Sequence, residues 1–240
     1  MKFDPPLLQG RFQRRYKRFF ADVILDSGEL VVAHCPNTGS MKNCLVKDGC
    51  CWLSESDNPK RKLKYTLEAV TSEFGGMAGV NTGRTNKLVS EALNDSLIDE
   101  LRAYSVIESE VRFGEENSRL DFRLSRSAEA VNPEDICYME VKNLTLAQEG
   151  GLGAFPDAVT SRGAKHLREL LLAKRQGYRA VLFFCVQHTG VNRVTVANEI
   201  DPVYAETLLE VMNAGVEVLV YGTRMSTKEF VINKAIPFSC

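Results

Sequence analysis

Near residue 82 the chain changes its period, and that change limits the folds open to it. From Leu8 to about Thr82, short runs rich in β-branched and aromatic residues alternate with turns: Gly10–Tyr16, Phe19–Leu25, Glu29–Cys35, Cys51–Ser56 and Lys64–Ser72. Asp26-Ser27-Gly28 links the second and third runs as a hairpin turn. Helical spacing is scarce before residue 82 and frequent after it. Leu88, Val89, Ala92 and Leu93 mark a helix ending at Asn94-Asp95, followed by strand-like runs at Ser105–Arg112, Arg119–Leu124 and Ile136–Val141. A helix from about Ala158 to Gln176 stops at Gly177. A buried strand at Tyr178–Val186, a strand at Arg193–Ala197, a helix at Val203–Asn213 and a strand at Val216–Tyr221 complete the pattern.

Several short strands within about 80 residues predict a small closed barrel, and the OB-like fold is the common small barrel that binds oligonucleotides. The remainder predicts a mixed α/β (α+β) domain. The expected division is 1–82 for an OB-like nucleic-acid-binding barrel and 83–240 for the second domain. With 240 residues the chain holds one large domain or two small ones, and 44% hydrophobic with 25% charged residues excludes disordered, collagenous and coiled-coil classes. No apolar run approaches the roughly 18 residues of a membrane span, and Met1–Gly10 has no basic segment followed by an apolar one. A soluble, cytoplasmic protein without membrane contact is expected. The seven cysteines are odd in number and lack zinc-ligand spacing, so free thiols are expected.

The net charge of -1 argues against coating nucleic acid by bulk charge, but the average conceals an asymmetry. Residues 1–90 carry 14 Lys and Arg against 9 Asp and Glu, and residues 91–240 carry 16 against 22. The basic half contains Arg11, Arg14, Arg15, Tyr16, Lys17 and Arg18, with Phe12, Phe19 and Phe20 interleaved, and a second run at Lys60, Arg61 and Lys62. Cations neutralise phosphates and aromatic rings stack bases. The competing reading buries Phe12, Tyr16 and Phe20 in the barrel and leaves the cations solvated.

In the acidic half, Glu140-Val141-Lys142 follows Asp121 at a distance that puts the two carboxylates on separate strands. Side chains two apart on a strand share a face, so Glu140 and Lys142 emerge together while Val141 points into the core. Asp121 faces them if its strand is the neighbour. Two converging carboxylates suit Mg2+ or Mn2+, which take oxygen ligands, and an ammonium beside them offsets charge developing on a phosphoryl group. Glu110, on a strand with Glu108, is a candidate extra ligand. Against this stand ordinary exposed ion pairs and charges guarding sheet edges. Arg162 and His166, four apart, share a helix face that suits a phosphate or simply meets solvent. His34 and His188 read as structural. Gly79–Thr85 is one residue short of a Walker loop and has Arg for Lys, and Gly150–Phe155 reads as a mobile active-site loop.

Asp121, Glu140-Val141-Lys142 and a helix carrying Thr160, Arg162 and His166 resemble the PD-(D/E)xK nuclease pattern, with Leu120 in place of the proline. The closer resemblance is to the sugar fermentation stimulation protein family. It spans nearly the whole chain through Pro36–Met41, Val80–Asn86, Asp121, Glu140–Asn143 and Thr160-x-Arg162-Gly163-x-Lys165-His166. It implies an amino-terminal OB-like barrel, a nuclease-like α/β domain with a mixed sheet, binding of single- or double-stranded DNA with little sequence preference, and a regulatory role in sugar (maltose) metabolism. It also implies Asp121, Glu140, Lys142, Arg162 and His166 as catalytic residues, the Val141 carbonyl as a further metal ligand, and Arg162 on the scissile phosphate or the neighbouring backbone. Two functions follow: metal-dependent phosphodiester hydrolysis, or non-catalytic DNA binding that regulates sugar genes. Self-association is left open.

Overall fold

The computed structural model describes residues 1–114 and 118–240. The chain begins with β1 (Leu8–Tyr16), β2 (Phe20–Leu25), β3 (Leu30–His34), β4 (Cys50–Glu55), β5 (Tyr65–Thr71) and β6 (Met77–Gly79). They lie in the order β3-β2-β1-β4-β5-β6, and a parallel pairing of Ala33 with Tyr65 closes β1–β5 into a barrel. This is the OB domain, with Phe12, Val23, Leu53 and Leu67 in its core. β1 and β2 meet at Gly10, where a Cβ would stand 2.7 Å from Val23 Cγ1 and 2.8 Å from the Ile24 carbonyl oxygen. Only a residue without a side chain permits that approach.

Asn81 accepts the Gly83 N–H and opens a 3-10 turn at Thr82–Arg84 that leads into α1 (Thr85–Asn94). Then come β7 (Val106–Phe113), β8 (Ser118–Ser125), β9 (Ile136–Leu144), β10 (Leu152–Phe155), α2 (Ser161–Arg175), β11 (Arg179–Val186), β12 (Arg193–Val196), α3 (Pro202–Asn213), β13 (Glu217–Met225), β14 (Phe230–Ala235) and β15 (Phe238–Ser239). The principal sheet has the order β14-β13-β11-β9-β8-β7. β9, β11 and β13 are parallel and the outer pairings antiparallel, so the domain is mixed α/β. One face, with Met139, Val141 and Phe183, packs on Leu88, Val89 and Ala92 of α1. The other, with Tyr138, Leu182 and Phe184, packs on Leu167 and Leu170 of α2 and on Leu208 of α3. Burial of both faces explains why β11 reads as one apolar run.

Each long helix on that second face starts at a side-chain cap, Thr160 accepting the Gly163 N–H for α2 and Asp201 the Tyr204 N–H for α3. α2 therefore begins at Ser161, later than its apolar spacing indicates, because the cap and not the first apolar residue sets the start. The glycine-rich stretch expected to be a loop ends instead in β10, paired in parallel with β12, which pairs with β15. Gly150 and Gly151, at φ 71 and 78, make the turn into that strand. No helix of the described residues is long and apolar enough to cross a membrane.

Candidate active site

The principal sheet splits at Asp121. β8 pairs with β9 from Ser125↔Ile136 to Phe122↔Met139, and the next step of that register sets Asp121 opposite Glu140. The ladder ends there. Leu120 and Phe122, two apart on β8, belong to clusters on opposite faces of the sheet, so the strand turns over at the residue between them. Asp121 Oδ2 accepts the Val141 N–H at 2.7 Å, and Oδ1 accepts Asn86 Nδ2 at 2.7 Å. N–H and C=O of one strand residue point to the same side, so the Val141 carbonyl also faces the gap between the strands.

Glu140 is 2% exposed. Its Oε1 accepts Lys142 Nζ at 2.6 Å and the His166 Nδ1–H, while Oε2 is buried without a partner among the described residues. Arg162 Nε lies 3.4 Å from His166 Nε2, which fits the tautomer with its proton on Nδ1. His166 is buried and Arg162 exposed, so of the two helix residues only the arginine meets solvent. Glu110 lies opposite Asp121 in the register that pairs Ser109 with Phe122 and Val111 with Leu120. Its side chain is exposed and its φ is 55, a left-handed conformation rare for glutamate. Its neighbour Glu108 is engaged with Arg123.

Two opposed electrostatic settings result. Burial, and then the nearby Glu140 carboxylate, push Asp121 up to about 6, although Val141, Asn86 and Lys142 favour its charged form. Burial also acts on Glu140, but the His166 hydrogen bond and the Lys142 charge prevail and hold it below the usual glutamate range. Two adjacent carboxylates thus ionise in different pH ranges.

Among the described residues no group of three or more His, Cys, Asp or Glu side chains is arranged to hold a metal ion. The oxygen donors at the split are two carboxylates, one of which keeps the unpartnered Glu140 Oε2, and a main-chain carbonyl. They fit a Mg2+ or Mn2+ ion that is held by one or two carboxylates and keeps several waters. They do not fit zinc, which prefers nitrogen and sulfur.

Sequence reasoning missed Asn86 and Tyr204. Asn86 fixes Asp121 from the first turn of α1. Tyr204 on α3 is fully buried, its hydroxyl is the other unpartnered buried side-chain atom among the described residues, and burial, with the Glu140 charge added to it, makes that hydroxyl a weaker acid than an ordinary tyrosine. Its ring edge lies close to Gly163, one turn before His166 on α2. No spacing in the sequence distinguishes it from any other core aromatic.

The basic cluster divides in two. Arg11, Arg14, Lys17 and Arg18 are exposed; Arg14 pairs with Asp22 at 2.7 Å and lies 5.1 Å from the Tyr16 ring centroid. Tyr16 stacks on Phe20 with centroids 5.4 Å apart, and only Phe12 enters the core. Lys17 and Arg18 turn the hairpin with φ 46 and 62. Arg15 points inward, donating to the carbonyls of Asn37 at 2.6 Å and Gly39 at 3.1 Å. Lys60, Arg61 and Lys62 are exposed on the β4–β5 loop, where Arg61 donates to Thr66 Oγ1 at 2.9 Å. His188 is buried and bonds Ser72 and the Gly190 N–H; burial lowers it to about 4.

Residues 14–80 match the sugar fermentation stimulation N-terminal OB domain, and residues 83–229 the sugar fermentation stimulation protein RE domain. A sugar fermentation stimulation protein homolog of Teredinibacter turnerae is 54% identical over 237 residues, covering 99% of each chain. That of Saccharophagus degradans is 49% identical over 236 residues, covering 98% of this chain and 99% of its own. The solved structure of Pyrococcus furiosus SfsA in complex with Ca2+ superposes with a TM-score of 0.86 at 26% identity, covering 100% of this chain and 98% of that one. With both domains matched in order and relatives aligned end to end, the chain belongs to the sugar fermentation stimulation protein family.

Proposed function

We propose that this protein binds DNA and hydrolyses phosphodiester bonds with little sequence preference, through a PD-(D/E)xK nuclease-like domain that uses Mg2+ or Mn2+. The observation that carries this reading is the buried, unpartnered Glu140 Oε2 beside Asp121 where two strands separate. An acceptor oxygen sequestered from water without a donor is costly, and a cation offsets that cost. The relative from Pyrococcus furiosus is described in complex with Ca2+, another hard, oxygen-seeking cation. Asp121, Glu140 and the Val141 carbonyl would hold the ion, with Glu110, opposite Asp121 in the β7–β8 register, the candidate for a further ligand. Such an ion, when bound, polarises a phosphoryl oxygen. Lys142 supplies positive charge beside that oxygen, His166 fixes the Glu140 carboxylate, and Arg162 offers its exposed guanidinium to the strand backbone. The basic tip of the β1–β2 hairpin and the Lys60–Lys62 loop supply phosphate contacts.

A non-catalytic DNA-binding regulator of sugar genes is the second reading. It is favoured by the way the Lys142 ammonium already neutralises Glu140 from within, with a second hydrogen bond from His166 on the same oxygen. Nicking of supercoiled plasmid separates the two. Cleavage with Mg2+ or Mn2+ that stops in EDTA and in Asp121→Asn supports the enzyme; binding without nicking under every metal condition sinks it.

A further inference from the structure

A cavity of about 140 Å3 lies on the seam between the two domains. One wall is the loop after β3, with Asn37, Thr38 and Gly39; the other is the end of β9, with Asn143 and Thr145, closed by Asp157. It is smaller than the roughly 300–1,000 Å3 of a site for a drug-sized ligand, yet holds several times the roughly 30 Å3 of one water.

Both walls are braced. Arg15 holds the Asn37 and Gly39 carbonyls, Thr82 Oγ1 donates to the Pro36 carbonyl at 2.8 Å, and Asp157 Oδ2 accepts Ser40 Oγ at 2.9 Å and the Met41 N–H at 3.2 Å. Asn37 Oδ1 accepts the Gly39 N–H at 2.8 Å, and Asn143 Oδ1 accepts Gln187 Nε2 at 2.7 Å. Each carboxamide oxygen is thus used inside the protein, which leaves the two NH2 groups as the donors these side chains offer the cavity. The Asp157 carboxylate disfavours a phosphate there. The walls suit a neutral, flat, acceptor-bearing group.

The position narrows this further. Asn143 directly follows Lys142 of the carboxylate site. The opposite wall hangs from Arg15, beside the exposed hairpin tip of Lys17, Arg18 and Phe19, the last with its carbonyl bonded to the Cys35 N–H. The cavity is thus tied through one wall to the basic hairpin and through the other to the strand that carries Glu140 and Lys142. Resting on the nucleic-acid reading above, we propose that the seam cavity receives one unstacked base, with the Asn37 and Asn143 amides donating to its acceptor edge. The preferred substrate is then a single strand or a locally unpaired segment, because a duplex must first unstack and unpair the base, at a cost of a few kcal/mol that a single strand is largely spared.

The test uses the full chain in EDTA with an end-labelled oligonucleotide carrying one 2-aminopurine, as a single strand and as a duplex. Anisotropy is expected to show the single strand bound roughly tenfold or more tightly, the factor that an unstacking cost of this size sets, with a change in 2-aminopurine emission. Thr38→Met, at an exposed position on the rim, fills the mouth and is expected to lower single-strand affinity to that of the duplex and leave duplex binding unchanged. A thermal melt confirms that the variant folds. Equal affinity of the wild type for both forms, or a preference that survives Thr38→Met, overturns the base pocket and leaves the DNA reading standing. Absence of binding to either form overturns both.

Discussion

Asp121 accepts the Val141 N–H at 2.7 Å at the point where the β8–β9 ladder has run out of main-chain partners. A side-chain carboxylate has replaced a backbone carbonyl, so its position is set by the sheet rather than by its own rotamer. A loop carboxylate would lose entropy on being fixed; this one is fixed as the sheet forms. The same burial that fixes it makes its charge depend on pH near neutrality.

Stability of the metal-free protein should therefore fall as pH rises from about 4 to about 6. The folded Asp121 titrates near 6 and the unfolded near 3.8, so in that window the native state holds the extra proton, and raising the pH works against it. The loss amounts to roughly 2–3 kcal/mol once the group is ionised. Glu140 acts in the opposite sense: its contribution is present above the ordinary glutamate value and lost as pH falls below it. Asp121→Asn should remove the slope between pH 4 and 6 and keep the fold, because the Asn86 carboxamide can rotate to present its oxygen to the new NH2 group. Urea melts at several pH values test this; a slope retained in the variant assigns it elsewhere.

Binding of Mn2+ should compete with that proton. Above pH 6 the ion is expected to raise the melting temperature of the wild type, and at pH 5 to do so much less, since a ligand that binds only the folded state stabilises it in proportion to its affinity. Asp121→Asn should lose the response. Lys142→Ala should keep or strengthen it, because a cation 2.6 Å from Glu140 Oε1 has gone, while any plasmid nicking drops sharply. Calorimetry showing equal Mn2+ uptake by wild type and Asp121→Asn would remove the carboxylates from the metal site.

The parts of this arrangement governed by short-range periodicity were legible in the sequence. Val141 facing the core with Glu140 and Lys142 on the reverse face follows from a period of two, and α1 from four apolar residues at helical spacing. What was hidden depends on partners far along the chain. His166 reads as half of a polar helix face, yet it is buried because Glu140, 26 residues earlier, accepts a hydrogen bond from its Nδ1–H. Arg15 reads as one of five cations, yet it is a brace because the loop 22 residues later turns two carbonyls toward it. β10 is hidden because its partner β12 lies 41 residues on, and four residues containing a glycine carry no strand signal of their own.

The division within the basic cluster predicts how DNA binding responds to salt. Lys17 and Arg18 project from the hairpin tip, so replacing both by Ala should lower affinity alike for unrelated sequences and reduce the slope of log affinity against log salt by about 1–2. Arg15→Ala should instead lower thermal stability, since two carbonyls of the Asn37–Gly39 loop lose their donor. An unchanged salt slope in the double variant would move the DNA surface away from the hairpin, with the Lys60–Lys62 loop the next place to look.

The Tyr204 hydroxyl makes the sharpest prediction about the core beneath the site. It is buried, has no partner among the described residues, and sits near the Glu140 carboxylate, whose Oε2 is equally unpartnered. A buried hydroxyl without a bond contributes its desolvation cost and nothing in return, so removing the oxygen while keeping the ring is expected to be favourable. Tyr204→Phe should stabilise the metal-free protein by about 1 kcal/mol, measured by urea unfolding, because the packing of the ring against Phe155, with centroids 5.3 Å apart, is preserved. Tyr204→Ala should cost roughly 3–5 kcal/mol through the cavity it leaves between α2 and α3. If Tyr204→Phe instead destabilises by 1 kcal/mol or more, the hydroxyl is holding Glu140 Oε2, directly or through a water. The same variant should then also bind Mn2+ with altered affinity, because the carboxylate has lost an anchor.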